Sequence, residues 1–313
     1  MKSLKFLLRL AVTVAILALI VRAIDLDQAL QVLAGIRPDL LLLAMLTQFG
    51  STFVAAYRWQ LIMHNLDFGQ PFAFYWRSYF KGMFFNQGLP TSIGGDAVRV
   101  LDAAGRGFRK RDALYGVAVD RISGLGALLS LAFISHFVKP ELLPKQVYRP
   151  VFFLIAAALV ALLGISALRR VVWLDRYPLL ALVRALATRF HKAFSRHRMA
   201  LLISSAAVPL LAMLSFLCIG WALGLRYDLM TYFAIVPPAL ALTVIPISIA
   251  GWGVREGALV TLFALIGADK STVLMMSLLY GLTLIVVSLP GLYVFLKGRQ
   301  RPKKHHLSQQ GQS

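Results

Sequence analysis

The sequence predicts an all-α integral membrane protein: six full transmembrane helices and two broken, re-entrant helical hairpins in an inverted repeat. Three observations predict it. The chain is 59% hydrophobic with a mean hydropathy of +0.73, far above a soluble globular average. Several apolar runs reach about 20 residues, the length a helix needs to cross hydrocarbon. Two eleven-residue stretches, 156 positions apart, repeat the same helix-breaking composition.

Leu89-Pro90-Thr91-Ser92-Ile93-Gly94-Gly95-Asp96-Ala97-Val98-Arg99 aligns without a gap on Ile245-Pro246-Ile247-Ser248-Ile249-Ala250-Gly251-Trp252-Gly253-Val254-Arg255, and six of the eleven pairs are identical. Pro90, Pro246, Gly251 and Gly253 interrupt a helix and leave backbone groups in need of partners. In lipid such a break is tolerated only where protein or a watery cavity covers it. Paired interruptions in the two halves of a hydrophobic chain point to a transporter's binding site. A repeated loop outside the bilayer is the plainer alternative.

The elements follow in order. Lys2 and Lys5 precede an apolar run at 6–21, expected as an uncleaved first helix with a cytoplasmic N-terminus. A second span covers 39–63 and carries Gln48 and, near its inner end, Arg58, where an arginine can snorkel to the interface. The aromatic segment 72–88 is marginal for crossing; it leads through Asn86-Gln87-Gly88 into the first break. A short helix at 96–104 then returns to Arg106, Arg109, Lys110 and Arg111, closing the first hairpin. Residues 113–137 form a third span containing Asp120-Arg121, and 151–168 a fourth.

Eight basic residues against Asp175 alone fill 169–198, with Leu179, Leu182, Val183, Leu186 and Phe190 at helical spacing. That pattern suits a helix lying on an anionic cytoplasmic leaflet, or a plain basic connector. A fifth span follows at 200–223. The segment 231–249, with Pro237-Pro238, runs into the second break; 256–266 returns from it, and 273–296 is the sixth span.

The formal charge is +20, from 33 Lys and Arg against 13 acids. Its concentration at 106–111, 169–198 and 297–304 reads as topology control and contact with anionic lipid rather than nucleic-acid binding. With those clusters cytoplasmic, both termini face the cytoplasm and the turns at 225–230 and 268–271 face out. One membrane domain then spans 1–298, with repeat units at about 39–137 and 200–296, and 299–313 is a basic cytoplasmic tail. An odd number of crossings separates corresponding elements, so the units are inverted. The single cysteine, Cys218, excludes an intrachain disulfide, and no cysteine cluster or other metal site is expected.

The candidate site gathers at the breaks: Asn86, Ser92, Gly94, Gly95, Asp96 and Arg99 in the first, Ser248, Arg255 and Glu256 in the second, with Asp120 and Arg121 between. A charge at bilayer depth costs about 2.5–3.5 kcal/mol on the insertion scale, so pairing or solvation is expected. These residues can pair with one another as a static network, or an anionic headgroup can take one carboxylate's place on an arginine. Asp96 near a helix start also suits a cap. No nucleotide-binding glycine loop occurs, so no cofactor is expected; Ser92 and Ser248 lack a neighbouring His for hydrolysis.

At these residues the chain resembles the flippase-like membrane family related to the transmembrane region of lysylphosphatidylglycerol synthase. The matching elements are 86–99 with its Pro-x-x-x-Gly-Gly-Asp core, Asp120-Arg121-Ile122-Ser123-Gly124, and 246–257 ending in Gly-x-Arg-Glu-Gly. The resemblance implies movement of a lipid, or a lipid-linked headgroup, between leaflets of the cytoplasmic membrane. The arginines at the breaks make an anionic phospholipid or a polyprenyl-phosphate-linked lipid the expected partner. Bifunctional members add a soluble aminoacyl-transferase domain, which is not expected in a chain ending at Ser313, so lysyl transfer is not inferred. A membrane-embedded transferase acting on such a lipid, or a non-transporting scaffold, are the alternative functions.

Overall fold

The computed structural model describes residues 35–88, 94–244 and 251–299. The predicted first span, Pro90, Ser92, Pro246, Ser248 and the tail from 300 onward lie outside the described residues. Among the described residues there are ten α-helices and no strand. In chain order they are α1 (Pro38–Asn65), α2 (Phe72–Gly88), α3 (Gly94–Ala104), α4 (Lys110–Val138), α5 (Lys145–Gly164), α6 (Pro178–Ala193), α7 (Arg198–Ala222), α8 (Leu229–Leu242), α9 (Val254–Ala264) and α10 (Lys270–Arg299). Among the described residues five segments are long and apolar enough to cross a membrane: α1, α4, α5 with the 3-10 turn after it, α7 and α10. They correspond to the second to sixth spans expected from the sequence.

Local chemistry explains where the helices begin and end. Pro38 opens α1 at a position where its missing N–H costs nothing, and Asp39 sits in the first turn. Asp228 caps α8, its Oδ1 accepting from the Thr231 N–H at 2.9 Å and the Thr231 hydroxyl at 2.8 Å. Lys139 also bonds this carboxyl and, with Thr231, holds it below the usual carboxylate range. In the second break Gly251 and Gly253 adopt φ of +82° and +85°, where a side chain would be strained.

The two halves of the chain interlock. α1 packs along α7, α2 against α10, and α4 against α8. Ser51 Oγ donates to the Val208 carbonyl at 2.8 Å and Ser215 Oγ to the Ala44 carbonyl at 2.9 Å, so α1 and α7 run antiparallel. Gly291 lets α10 touch the α2 backbone: a Cβ there would lie 2.1 Å from the Phe80 carbonyl oxygen. The largest apolar core is built on α7 to α10, around Phe216, Tyr232, Phe263 and Met276.

α5 is the outlier, with Ile155 its one buried residue and α4 its main helical neighbour. Beyond it α6 does form, as the spacing of its apolar residues predicts. Its inner face sets Leu186 and Phe190 against Leu61, Ile62 and Val119, while Leu179, Leu182 and Val183 stay exposed. Ion pairs Lys192–Asp67 and Arg189–Asp112 tie this basic helix to the loop after α1 and the first turn of α4.

Candidate functional site

Helices α2 and α3 pack closely because two glycines meet. A Cβ on Gly95 would lie 2.0 Å from the Gly82 carbonyl oxygen, so α2 and α3 approach backbone to backbone. Asn86 Oδ1 accepts from the Gly95 N–H at 2.7 Å and satisfies one of the free donors where α3 starts. This frees Asp96, in the first turn of α3, for a different task. Arg99 stands one turn further along the same face.

Five charged side chains meet there. Asp120 Oδ1 accepts from Arg58 Nε at 2.8 Å and its Oδ2 from Arg99 Nη2 at 2.7 Å. Asp96 Oδ2 accepts from Arg121 Nε at 2.9 Å, and its Oδ1 from Arg121 Nη2 at 3.2 Å and Arg99 Nη1 at 3.4 Å. Arg99 is held between two rings, 4.2 Å from the Trp59 centre and 4.5 Å from that of Tyr79, a favourable setting for a desolvated cation.

Burial grades the cluster: side-chain exposure is 1% for Asp120, 4% for Arg58 and Arg99, 16% for Asp96 and 50% for Arg121. Arg58 Nη1 and Arg99 Nε are buried with no hydrogen-bond partner. Arg58 therefore does not snorkel. α1 continues about two turns beyond it to Asn65, too far for the side chain to reach the helix end, and Asp120 draws it inward.

The cluster faces a cavity of about 270 Å³ between α1, α2, α3, α4, α7 and α10. Asn86, Asp96, Arg99 and Arg121 line one side of it. Val208, Ala212 and Leu284 line the α7 and α10 side, where Tyr280 is the one polar group. The Tyr280 hydroxyl bonds Gln48 Oε1 at 3.2 Å, and its ring stacks on Phe216 with centres 3.8 Å apart.

Arg255 and Glu256 form a second network, and neither lines this cavity. Glu256 Oε1 accepts from Arg255 Nη2 at 2.6 Å and from Ser277 Oγ at 2.9 Å; its Oε2 accepts from the Gly253 N–H at 2.6 Å. Trp252 lies over the Arg255 guanidinium at 5.0 Å. The residue three before each arginine touches it, once as a carboxylate and once as a ring face.

The structure brings Asn86, Gly95, Asp96, Arg99, Asp120 and Arg121 together; Gly94 opens α3 beside them, and Arg255 and Glu256 stand apart. Sequence reasoning missed Arg58, Trp59, Tyr79 and Tyr280 as parts of the site. A charge in an apolar span signals Arg58; nothing local singles out the three rings.

The family described as lysylphosphatidylglycerol synthase TM region matches residues 6–291. No curated protein and no solved structure matches the chain. With that match across nearly the whole of a multi-pass helical membrane protein, the chain belongs to the lysylphosphatidylglycerol synthase transmembrane-region family, a membrane-embedded family related to lipid handling.

Proposed function

We propose that the protein moves a lipid between the leaflets of the cytoplasmic membrane, its headgroup crossing through the cavity while the acyl chains stay in lipid. One observation carries this reading: the cavity combines charged Asp96, Arg99 and Arg121 from α3 and α4 and polar Gln48, Ser51 and Thr52 from α1 with apolar Val208, Ala212 and Leu284 from α7 and α10. The charged and polar residues suit a headgroup and the apolar ones the first carbons attached to it, whereas a small ion needs no apolar contact. An anionic lipid, phospholipid or polyprenyl-phosphate-linked, suits the arginine excess. In this reading Asn86, Asp96, Arg99 and Arg121 meet the headgroup, Asp120 holds the arginines, and Arg255 with Glu256 sustains the second break. Reconstituted protein should accelerate dithionite quenching of NBD-labelled anionic lipid in proteoliposomes, and Arg99→Ala should cut that rate about tenfold or more at unchanged reconstitution. Wild-type vesicles no faster than protein-free ones would reject translocation; a covalently altered lipid in their extract would favour a transferase.

The helix contacts support two equivalent units. Exchanging α1–α4 with α7–α10 turns the α2–α10 contact into α8–α4, and both contacts occur. The same exchange maps α3–α4 onto α9–α10 and returns α1–α7 to itself. With the antiparallel α1 and α7, this is the pattern expected of an inverted repeat with two re-entrant hairpins. In a Cys218→Ser background, Lys270→Cys should label from outside intact cells and Arg109→Cys only after permeabilisation. Labelling of both from one side would exclude the inversion.

A further inference from the structure

The charged wall of the cavity holds two carboxylates in different circumstances. Asp120 is clamped between Arg58 and Arg99 and has no exposed surface to speak of. Asp96 stands at the cavity, and Arg121, half exposed, grips it through two nitrogens. A guanidinium makes that same two-point contact with a phosphate. On its other side Asp96 already has Arg99 Nη1 at 3.4 Å, a long contact with room to shorten.

We propose that Arg121 carries a phosphodiester seat, occupied by the Asp96 carboxylate until a lipid's phosphodiester displaces it towards Arg99. The proposal rests on the translocation reading and adds to it the headgroup chemistry and a release device.

Charge favours a diester. Among the described residues Arg58, Arg99 and Arg121 face Asp96 and Asp120, three positive charges against two negative ones. A phosphodiester brings one negative charge and leaves the group neutral. A phosphate monoester, doubly charged above its second pKa of about 6, leaves it negative in a poorly solvated place. Arg99 also lines the cavity, its side chain almost wholly buried between the rings of Trp59 and Tyr79.

The exchange gives Asp96 two measurable effects. It competes with the headgroup for Arg121, so it weakens binding; it also retakes Arg121 when the headgroup leaves, so it speeds release. A capping role would produce neither, because a cap does not compete with the headgroup for Arg121.

The test uses the full chain in detergent and four probes at pH 8. Dioctanoyl phosphatidylglycerol and glucosyl citronellyl phosphate are diesters on a diacylglycerol and a prenyl chain; dioctanoyl phosphatidic acid is the monoester, and inorganic phosphate the free anion. At least one diester should bind about tenfold tighter than the monoester, and the tighter of the two identifies the chain type. Asp96→Asn should tighten that diester about tenfold further while slowing translocation, and Arg121→Gln should weaken it by a similar factor. Equal or tighter monoester binding, inorganic phosphate as tight as the diesters, or an unchanged affinity in Asp96→Asn with a wild-type thermal midpoint would each overturn the seat while leaving translocation standing. A folded wild-type protein that binds none of the amphiphiles would instead sink the translocation reading itself.

Discussion

Asp120→Ala is expected to cost about 3–5 kcal/mol of stability, the penalty for breaking a buried ion network by removing one partner. The carboxylate is the shared counter-ion of Arg58 and Arg99, bonded to both within 2.8 Å. Without it Arg58 loses its charged partner, and Arg99 keeps only the long contact to Asp96 and the rings of Trp59 and Tyr79. Two like charges would then face each other across the space Asp120 filled. The detergent-solubilised variant should show a much lower thermal midpoint or no monodisperse peak. Adding Arg58→Met should recover part of the loss, because it removes the cation left stranded in α1 while filling much of its volume. A wild-type midpoint for Asp120→Ala alone would show that the network does not hold α1, α3 and α4 together.

The long elements were legible because periodicity and length are local properties. Five of the predicted spans have their helices, and the short α2 and α3 flank the first break where proline and glycine predict an interruption. The candidate site was legible only in part, for a physical reason. Asp96, Arg99, Asp120 and Arg121 stand out as charges in apolar surroundings wherever the chain takes them. Their partners do not: Arg58 lies 62 residues from Asp120, and Gln48 lies 232 from Tyr280. Which arginine turns inward is decided by packing between helices, so the snorkelling expected of Arg58 was a local rule overridden by a distant carboxylate. The repeat also suggests more likeness than the folded chain keeps. Arg99 and Arg255 occupy the same repeat position, yet one lines the cavity and the other is enclosed by Glu256, Ser277 and Trp252.

That difference sets the second large effect. Glu256→Gln is expected to lower stability by about 3–5 kcal/mol although it changes hardly any volume. The Glu256 side chain is fully buried, and every contact it makes is as an acceptor. Arg255 Nε and Nη2 reach Oε1 at 3.0 and 2.6 Å, Ser277 Oγ donates to the same oxygen at 2.9 Å, and the Gly253 N–H reaches Oε2 at 2.6 Å. A glutamine replaces one of those oxygens with an NH2 group that donates, so a donor faces a donor at one end and Arg255 loses its counter-charge at the other. The Gly253 bond matters for the fold because it anchors the start of α9 at a glycine with φ of +85°. Ser277→Ala is the graded control. It removes the hydroxyl contact while leaving the ion pair and the α9 anchor, and should cost about 1 kcal/mol. Thermal unfolding of both variants in the same detergent checks the order. Equal, small losses would mean that Glu256 is not a charged anchor, and the second break would then need another support.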